Sequence, residues 1–275
     1  MTPGDGRTVL ITGANSGVGL ATAVHLGGLG FRSVGSVRSR PKATRLLQAA
    51  ASAGVKVETV LLDVTDAEGC RAVVNRVRPW ALINNAGYSE VGAIEDVSDE
   101  EARNQLETMV VGPIRLARLA LPHMRAAGQG RVVNVSSIYG LTTTPFSGWY
   151  QASKHALEAA SDALRVEVAG DGIKIILIEP GGVKTNIWEE MKADLARRAG
   201  SSYEAEYRRV LTLLAPYRAF MTEPETVARV IGNALTARSP RARYLVGRDA
   251  QAVAAAQPFV PTAVKDRISR LLTGL

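Results

Sequence analysis

The sequence predicts an α/β protein, with one doubly wound parallel sheet of about seven strands and helices on both of its faces. Short β-branched runs alternate with longer amphipathic segments from one end of the chain almost to the other. Several of the short runs are apolar without interruption, which is typical of strands that helices cover on both sides. No repeat, low-complexity tract or linker divides the chain, so residues 1–275 are expected to form a single domain.

The short runs predict the strands in order. Two of them, residues 9–11 and 175–178, contain only branched aliphatic side chains. Such a run, bounded by turn residues, is typical of a buried strand. Strands are predicted at residues 8–12, 32–37, 56–62, 81–84, 130–136, 173–179 and 243–246.

The longer segments between these runs predict the helices. Ser98 precedes three acidic residues, and this combination stabilises a helix N-terminus because the hydroxyl caps free amides and the carboxylates interact favourably with the helix dipole. Asp171 and Gly172 end another of these segments. Helices are predicted at residues 18–27, 41–53, 66–77, 99–127, 149–169 and 223–237.

Residues 186–221 interrupt the alternation with a mostly helical, amphipathic insertion. Because the insertion follows the carboxyl end of a strand, it is expected over the crevice in which open α/β sheets bind ligands. We therefore interpret it as a substrate lid rather than as surface helices that only pack on the core. Its apolar and aromatic residues are Trp188, Met191, Leu195, Tyr203, Tyr207, Leu211, Leu214 and Tyr217.

A helical tail is predicted at residues 248–275. Lys265, Arg267 and Arg270 make this tail basic, which would allow contact with an anionic membrane. A terminal helix that packs on the rest of the protein is the preferred interpretation.

Composition and charge argue against several classes of protein. The formal net charge is +7, but the arginines are scattered and only 5% of the residues are aromatic. Proteins that bind single-stranded nucleic acid combine a basic groove with stacking side chains, so no nucleic-acid partner is expected. Cys70 is the only cysteine, which excludes an intrachain disulfide and is consistent with a reducing cytoplasm. Residues 1–7 do not resemble a signal sequence, and no run approaches the roughly 18 apolar residues of a membrane span, so a soluble cytoplasmic protein without an integral membrane segment is expected.

A glycine-rich turn follows the first predicted strand and leads into an apolar helix. Its sequence is Thr12-Gly13-Ala14-Asn15-Ser16-Gly17-Val18-Gly19. The three glycines permit a tight turn and a close approach of the backbone to a pyrophosphate. The helix N-terminus that follows offers unpaired amide groups and the positive end of the helix dipole. In this strand–turn–helix context, the pattern predicts a dinucleotide-binding site.

The spacing T-G-x-x-x-G-x-G, together with later motifs, makes the chain similar to the short-chain dehydrogenase/reductase family. These motifs occur in the family's order over residues 8–247: Asp63-Val64, Asn84-Asn85-Ala86-Gly87, Ser137, Tyr150-Gln151-Ala152-Ser153-Lys154 and Pro180-Gly181-Gly182-Val183-Lys184-Thr185. The resemblance implies a Rossmann-type fold and an oxidoreductase that transfers hydride between a nicotinamide and a carbonyl or alcohol carbon.

The end of the second predicted strand favours NADP(H) over NAD(H), although NAD(H) stays possible. An NAD-selective site usually carries a carboxylate there for the ribose 2′-hydroxyl. Val37 occupies that position here and Arg38, whose guanidinium attracts a 2′-phosphate, follows it. The resemblance implies contacts of Asp63 and Val64 with the adenine and of Asn85 with the adjoining ribose. The cofactor-binding residues that it implies in all are Gly13, Asn15, Ser16, Gly17, Val18, Gly19, Arg38, Asp63, Val64, Asn85, Ala86, Gly87, Tyr150, Lys154, Pro180, Gly181, Val183 and Thr185.

Tyr150 and Lys154 are spaced i and i+4, and they therefore share one face of a predicted helix. A free tyrosine, with a pKa near 10, is a poor acid–base catalyst at neutral pH, and a neighbouring ammonium is expected to lower that pKa. The resemblance implies that Ser137 hydrogen-bonds the substrate oxygen, that Tyr150 transfers its proton, and that Lys154 tunes Tyr150 and binds the nicotinamide ribose. Ser136 is the alternative serine, but the spacing to Tyr150 favours Ser137, and Ser136 is expected to be the last strand residue.

The chain departs from the family pattern at Met109. Many family members have an asparagine three residues before a glycine, here Gly112, where it helps to hold a water molecule of the proton relay. A thioether cannot supply the donor and acceptor of an amide. Either other groups complete the relay or turnover is weak. Two alternatives therefore stay open: a cofactor-binding regulatory protein with weak turnover, and an epimerase or dehydratase on the same fold. No metal site is predicted.

Residues 241–247 and the tail are similar to the branch that contains enzymes like 17β-hydroxysteroid dehydrogenase and retinol dehydrogenase. This similarity implies an apolar ketone, aldehyde or secondary alcohol as substrate, of a steroid, retinoid or polyketide kind. It also implies association through the helices predicted at 99–127 and 149–169. Because the tail could obstruct a tetramer contact, a homodimer is expected, and a tetramer stays possible.

Overall fold

The computed structural model describes residues 4–275, apart from the side chain of Trp188, and its centre is a seven-stranded parallel sheet. The strands lie in the order β3-β2-β1-β4-β5-β6-β7. They are β1 Thr8–Ile11, β2 Arg32–Val37, β3 Val57–Leu61, β4 Ala81–Asn84, β5 Gly130–Val135, β6 Ile173–Pro180 and β7 Arg243–Val246. The chain runs outward from β1 to β3 and then returns to β4 on the other side, so the order reverses between β1 and β4. The predicted fold class is confirmed.

Eleven α-helices connect the strands or extend beyond the sheet in residues 4–275. They are α1 Gly17–Gly28, α2 Arg40–Ser52, α3 Ala67–Val77, α4 Asp99–Leu106, α5 Gly112–Ala126, α6 Gly148–Glu167, α7 Ile187–Arg197, α8 Glu204–Tyr217, α9 Pro224–Thr236, α10 Arg248–Ala256 and α11 Thr262–Thr273. None of these helices combines the length and apolarity that crossing a bilayer requires.

The helices pack on both faces of the sheet and form two apolar layers. Alternation along β1 shows how the layers are divided, because successive side chains of a strand point to opposite faces. Val9 and Ile11 join the layer that contains Leu26 of α1, whereas Leu10 joins the layer that contains Leu116 of α5. All five of these aliphatic side chains are fully buried. The continuous apolar strands of the sequence are thus explained by two covered faces.

The helix predicted at 99–127 is an unbroken helical run over residues 99–126, but it contains a π-helical turn that was not predicted. A capping box at Ser98 and Glu101 starts α4, but a π-helical turn at Glu107–Val111 separates α4 from α5. The amide of Gly112 donates to the carbonyl of Glu107, five residues back, and Pro113 follows without an amide hydrogen to donate. The interruption places Met109, which is only 3% exposed, in the middle of this turn.

The insertion predicted at 186–221 contains α7 and α8, and polar contacts fasten it to the rest of the protein. The guanidinium of Arg198, at the end of α7, donates to the carbonyl of Val91 at 2.7 Å and to the carboxylate of Glu90 at 2.9 Å. The hydroxyl of Tyr207 in α8 accepts from the amide of Ala93 at 2.7 Å. Tyr207 is only 2% exposed and packs with Leu195 in a small apolar cluster.

The tail forms α10 and α11, as predicted, but α11 does not pack its apolar side on the protein. Ile268 and Leu271 on this helix are 49% and 66% exposed. The preferred interpretation of the tail, a terminal helix packed on the protein, thus holds for the polar side of α11, which contacts α8, whereas its apolar face is left exposed.

Candidate active site

The glycine-rich turn lies where the sheet order reverses, at the carboxyl end of β1. Gly13 and Gly17 have φ angles of 66° and 51°, which other residues adopt only with strain. A Cβ atom on Gly13 would lie 2.9 Å from the Cα atom of Ala86, and one on Gly17 would lie 2.9 Å from a methyl group of Thr185. Glycine is therefore required both for the backbone conformation and for the close approach of two neighbouring loops.

The start of α1 leaves hydrogen-bonding groups free for a ligand. Ser16 occupies the N-cap position, yet its hydroxyl makes no capping bond to the helix, and the nearest side-chain donor is the amide of Asn15 at 3.4 Å. Gly19 lies against the carbonyl of Gly13, where any side chain would collide with it. Unpaired amides at a helix N-terminus bind anions well, so the turn has the shape and the polarity of a phosphate cradle.

Asn85, which follows the neighbouring strand β4, holds the cradle in place through hydrogen bonds with Thr12 and Gly13. The side-chain amide of Asn85 donates to the carbonyls of Thr12 and Gly13 at 3.0 and 3.3 Å. The Thr12 hydroxyl accepts from the amides of Asn85 and Ala86, both at 2.9 Å. The Asn85 amide is thus engaged with the glycine turn, which makes it a support of the cradle.

Arg38 lies exposed just beyond β2 and acts electrostatically on groups at the same edge of the sheet. Burial alone would raise the pKa of Asp63, but hydrogen bonds from Thr65 and the charge of Arg38 together lower it. The carboxylate of Asp63 accepts from the amide and the hydroxyl of Thr65 at 3.0 and 2.7 Å. Val64 is 6% exposed and belongs to the core, so only its backbone is available to a ligand.

The loop after β6 closes the other side of the crevice. A carboxylate that sequence reasoning missed, Asp249 at the start of α10, accepts from the amide of Gly182 at 2.7 Å and from the hydroxyl of Tyr217. A side chain on Gly182 would meet both Tyr217 and Met221, which come from the insertion. Asp249 lies almost 70 residues from this loop in sequence, and no local pattern signals the contact.

Ser137, Tyr150 and Lys154 come together at the carboxyl end of β5. Ser137 follows β5 and is 7% exposed, and its hydroxyl is hydrogen-bonded to Tyr150. The ammonium of Lys154 lies 5.6 Å from the centre of the Tyr150 ring and donates to the carbonyl of Val135 at 2.8 Å. Ser136 is buried, and its hydroxyl has no partner among the described residues. The structure thus brings together the serine, tyrosine and lysine that the sequence pointed to.

Burial dominates the ionisation of these groups. It raises the pKa of Tyr150 to about 12, against the lowering effect of the hydrogen bond with Ser137. Burial also lowers the pKa of Lys154 to about 8, although the nearby carboxylate of Glu158 opposes this change. The pKa of Tyr150 therefore lies above its ordinary value in this structure and not below it as expected, because desolvation is the largest influence on it.

Met109 reaches the site from the π-helical turn. Its sulfur lies so close to Gly87 that a Cβ atom at Gly87 would collide with it. The thioether thus fills space directly beside the Asn84–Gly87 motif, where it offers only a weak acceptor.

A buried ionic cluster, which sequence reasoning also missed, lies below Lys154. Arg243 of β7 donates to the carboxylates of Glu158 on α6 and Glu179 on β6, whose side chains are 6% and 2% exposed. Its other nitrogen donates to Asp162 at 2.5 Å. Burial and the neighbouring charge of Glu158 raise the pKa of Glu179 to about 7, and Arg243 counteracts this rise. The cluster joins two strands and a helix beneath the candidate site.

Comparison with known proteins agrees with this fold. The short chain dehydrogenase family model matches residues 7–196. An uncharacterized oxidoreductase, YusZ, of Bacillus subtilis is 36% identical over 88% of this chain and 89% of its own length. An NADPH-dependent 3-dehydrocapnine reductase of Ornithobacterium rhinotracheale is 31% identical over 95% of both chains. The crystal structure of a short-chain dehydrogenase from Streptomyces avermitilis superposes with a TM-score of 0.78 at 30% identity, covering 96% of this chain and 95% of that one.

The fold and the crevice define a Rossmann-type α/β protein with a single parallel sheet. The chain belongs to the short-chain dehydrogenase/reductase family, and it is an oxidoreductase of the class that interconverts alcohols and carbonyl compounds.

Proposed function

We propose that the protein is an NADP(H)-dependent carbonyl reductase or alcohol dehydrogenase in which Tyr150 transfers the proton. The observation that carries the proposal is the grouping of Ser137, Tyr150 and Lys154 beside the glycine cradle. The acid–base properties of Tyr150 support reduction, since a phenol with a pKa of about 12 keeps its proton at neutral pH and can donate it.

NADP(H) would lie across the cradle. Gly13, Gly17 and the Ser16 hydroxyl, which does not cap the helix, fit a pyrophosphate, and the exposed Arg38 fits a 2′-phosphate. When bound, the nicotinamide supplies or accepts the hydride. A relative that uses NADPH, the 3-dehydrocapnine reductase, supports the same choice for this chain.

The chain's own residues would then act on the substrate oxygen. Ser137 donates a hydrogen bond that orients the carbonyl, and Tyr150 donates its proton to the oxygen as negative charge develops there. Lys154, held by the carbonyl of Val135, keeps a positive charge next to the Tyr150 ring and stabilises the phenolate that remains. Val183 and Thr185 in the loop after β6 would bind the carboxamide side of the cofactor.

The insertion at 186–221 supports an apolar substrate. Tyr217 and Met221 face the loop after β6 at Gly182 and would form one wall of the substrate cavity, with the rest of the insertion as a lid. An apolar wall desolvates the reacting carbonyl and favours a large apolar ketone, aldehyde or secondary alcohol over a small polar one.

Purified protein, NADPH and a panel of apolar and polar carbonyl compounds test the proposal, with consumption followed at the nicotinamide absorbance. We expect the wild type to consume NADPH with apolar ketones. In Tyr150→Phe the rate of consumption should fall by at least about a thousandfold, while NADPH binding is unchanged. Turnover that survives in Tyr150→Phe contradicts the assigned role. Binding of NADPH without consumption on any compound would favour the second candidate, a cofactor-binding regulator, for which the thioether of Met109 beside Gly87 is the supporting observation.

The choice of cofactor is tested separately by replacing Arg38. Arg38→Asp removes the cation expected to bind the 2′-phosphate and places a carboxylate one residue after the position where an NAD-selective site has one, so we expect the KM preference for NADPH over NADH to invert. Arg40→Asp, two residues further on and also exposed, is the matched control that should leave the preference unchanged. Equal effects of both substitutions would mean that only the overall charge matters.

A further inference from the structure

The last helix, α11, is oriented unusually for a helix at the surface of a protein. Its apolar residues share one face, since they are spaced three, four and seven residues apart, and this face is turned to solvent. The exposed fractions of its members are Val264 46%, Ile268 49%, Leu271 66% and Leu272 55%. An amphipathic surface helix normally turns such a face towards the core.

The contact of α11 with the protein uses a different, polar side of the helix. Lys265, Ser269 and Thr273 are spaced at i, i+4 and i+8, and they are the least exposed positions of the helix. The carbonyl of Leu271 also accepts from Arg209 of α8 at 2.8 Å. The helix is therefore anchored to α8 by polar contacts, and its apolar face needs another partner.

Charge on both borders of the apolar face identifies the kind of partner. At 100° per residue, Lys265 lies on one border of the face and Arg267 lies on the other, with Arg270 next to Arg267. Asp266 is the only acidic residue of the helix, and the chain as a whole carries a net charge of +7. An apolar face between basic borders matches the interface of an anionic lipid bilayer, in which the side chains enter the acyl region and the cations meet the headgroups.

A second copy of the chain is a poorer match. A twofold interface centred on this face would place the helix against its own copy, so the basic residues of the two copies would approach each other. Like charges that face each other across an interface oppose association.

We propose that α11 is a peripheral membrane-docking helix, which lies in the interface of an anionic bilayer with Ile268, Leu271 and Leu272 inserted. Docking by this face would place α8 next to the lipid, because α11 is anchored to α8. Leu275, just beyond α11, also borders an open surface groove of about 430 Å³ that is lined by Ala93, Ile94, Glu95, Pro145, Phe146 and Tyr203. If the proposed function holds, docking would let an apolar substrate pass from the bilayer to the lid without crossing water, and this consequence alone rests on that function.

Vesicle binding by the full chain tests the docking directly. Purified protein is sedimented with vesicles of phosphatidylcholine, with and without an equal share of phosphatidylglycerol, in the absence of NADPH. We expect binding to the anionic vesicles only, and weaker binding at high salt because the basic contribution is screened. Absence of binding to the anionic vesicles would overturn the proposal.

Two variants separate the apolar and the basic contributions. Leu271→Ser/Leu272→Ser should weaken vesicle binding by about tenfold or more, because the polar replacements no longer bury apolar surface in the acyl region of the bilayer. The control Leu47→Ser/Leu61→Ser changes two leucines that are exposed elsewhere, on α2 and β3, and should bind like the wild type. The variant Lys265→Gln/Arg267→Gln/Arg270→Gln should bind anionic vesicles with an affinity that is about fivefold lower per charge removed. The control Arg45→Gln/Arg71→Gln/Arg76→Gln removes equal charge elsewhere, and its affinity should fall much less.

Two outcomes would contradict the assignment. Vesicle binding that the leucine substitutions leave unchanged would show that α11 is not the docking element. A loss of self-association in Leu271→Ser/Leu272→Ser, measured by sedimentation velocity without lipid, would show that a second copy covers the face instead. Vesicle binding by a protein that reduces no carbonyl would leave the docking intact and refute only the proposed function.

Discussion

Lys154 is a buried lysine whose ammonium group loses its charge only a little above neutral pH. Burial lowers its pKa to about 8, while the hydrogen bond to the carbonyl of Val135 holds the ammonium beside Tyr150. Tyr150 titrates far above this range, with a pKa of about 12. The lysine is therefore the group whose ionisation changes near neutral pH.

We predict that kcat/KM for carbonyl reduction falls as the pH rises through about 8. Lys154 loses its charge in that range, whereas Tyr150 still holds the proton that reduction needs. Initial rates measured from about pH 6 to 10 give the profile. The break near pH 8 should be missing in Lys154→Arg if that variant retains activity, because a guanidinium stays charged throughout. A wild-type profile that is flat through this range would contradict the assignment.

Met109→Asn tests whether the thioether limits turnover. The amide can donate and accept a hydrogen bond where the thioether cannot, so we predict that kcat equals or exceeds the wild-type value, by up to about tenfold if the relay is impaired. Val111→Asn, in the same π-helical turn but 44% exposed, controls for the effect of an asparagine on the turn. A severe loss of kcat in Met109→Asn alone would mean that the sulfur packs the site in a way that turnover requires.

Among the elements, β6, β7 and α6 are joined by the buried cluster of Arg243, Glu158 and Glu179. Two carboxylates that are almost fully buried need a cation, because an unpaired buried charge is strongly destabilising. The cluster begins one helical turn below Lys154, so it also fixes the part of α6 that carries Tyr150.

We predict that Arg243→Met lowers the free energy of unfolding by about 3 kcal/mol at pH 8. The loss should be smaller at pH 5.5, because removing the cation raises the carboxyl pKa values further and the folded state can then take up protons at low pH. Chemical denaturation of the wild type and the variant at both pH values measures the free energies of unfolding. Arg32→Met is the matched control, since the ion pair of Arg32 with Glu58 joins two strands but is about half exposed and should contribute at most about 1 kcal/mol. Equal losses in the two variants would contradict the importance of the buried cluster.

For the molecule as a whole, association through the helices at 99–127 and 149–169 stays a prediction. Val166 on α6 is 69% exposed, and Val111 in the π-helical turn is 44% exposed, so both helices present apolar side chains outward. Such side chains are suited to an interface between copies of the chain.

We predict that the protein sediments as a dimer and that Val166→Glu converts it to a monomer. A carboxylate buried at a twofold interface would meet its own copy and would lose its hydration. Sedimentation velocity gives the masses, and Leu47→Glu, on the exposed side of α2, is the control that should remain dimeric. A wild-type monomer, or a dimer that tolerates Val166→Glu, would show that these helices do not form the interface.

Local patterns in the sequence predicted the α/β sheet and the candidate site residues because both depend on short spacings. Apolar runs gave all seven strands, the glycine spacing gave the cradle, and the i, i+4 spacing placed Tyr150 and Lys154 on one face of α6. The π-helical turn at Glu107–Val111 was not predicted, since the segment keeps the apolar periodicity of a single helix across it.

Only the tertiary structure decided how these residues are surrounded. The pKa values of Tyr150 and Lys154, the contacts of Asp249 and Arg243, and the outward apolar face of α11 all depend on elements that are distant in the chain. Periodicity specifies which side chains share a face, but desolvation and charge pairing arise only when that face meets another element or is left in water. For this reason the sequence identified the residues of the candidate site, and the fold determined their ionisation and which surface stayed exposed.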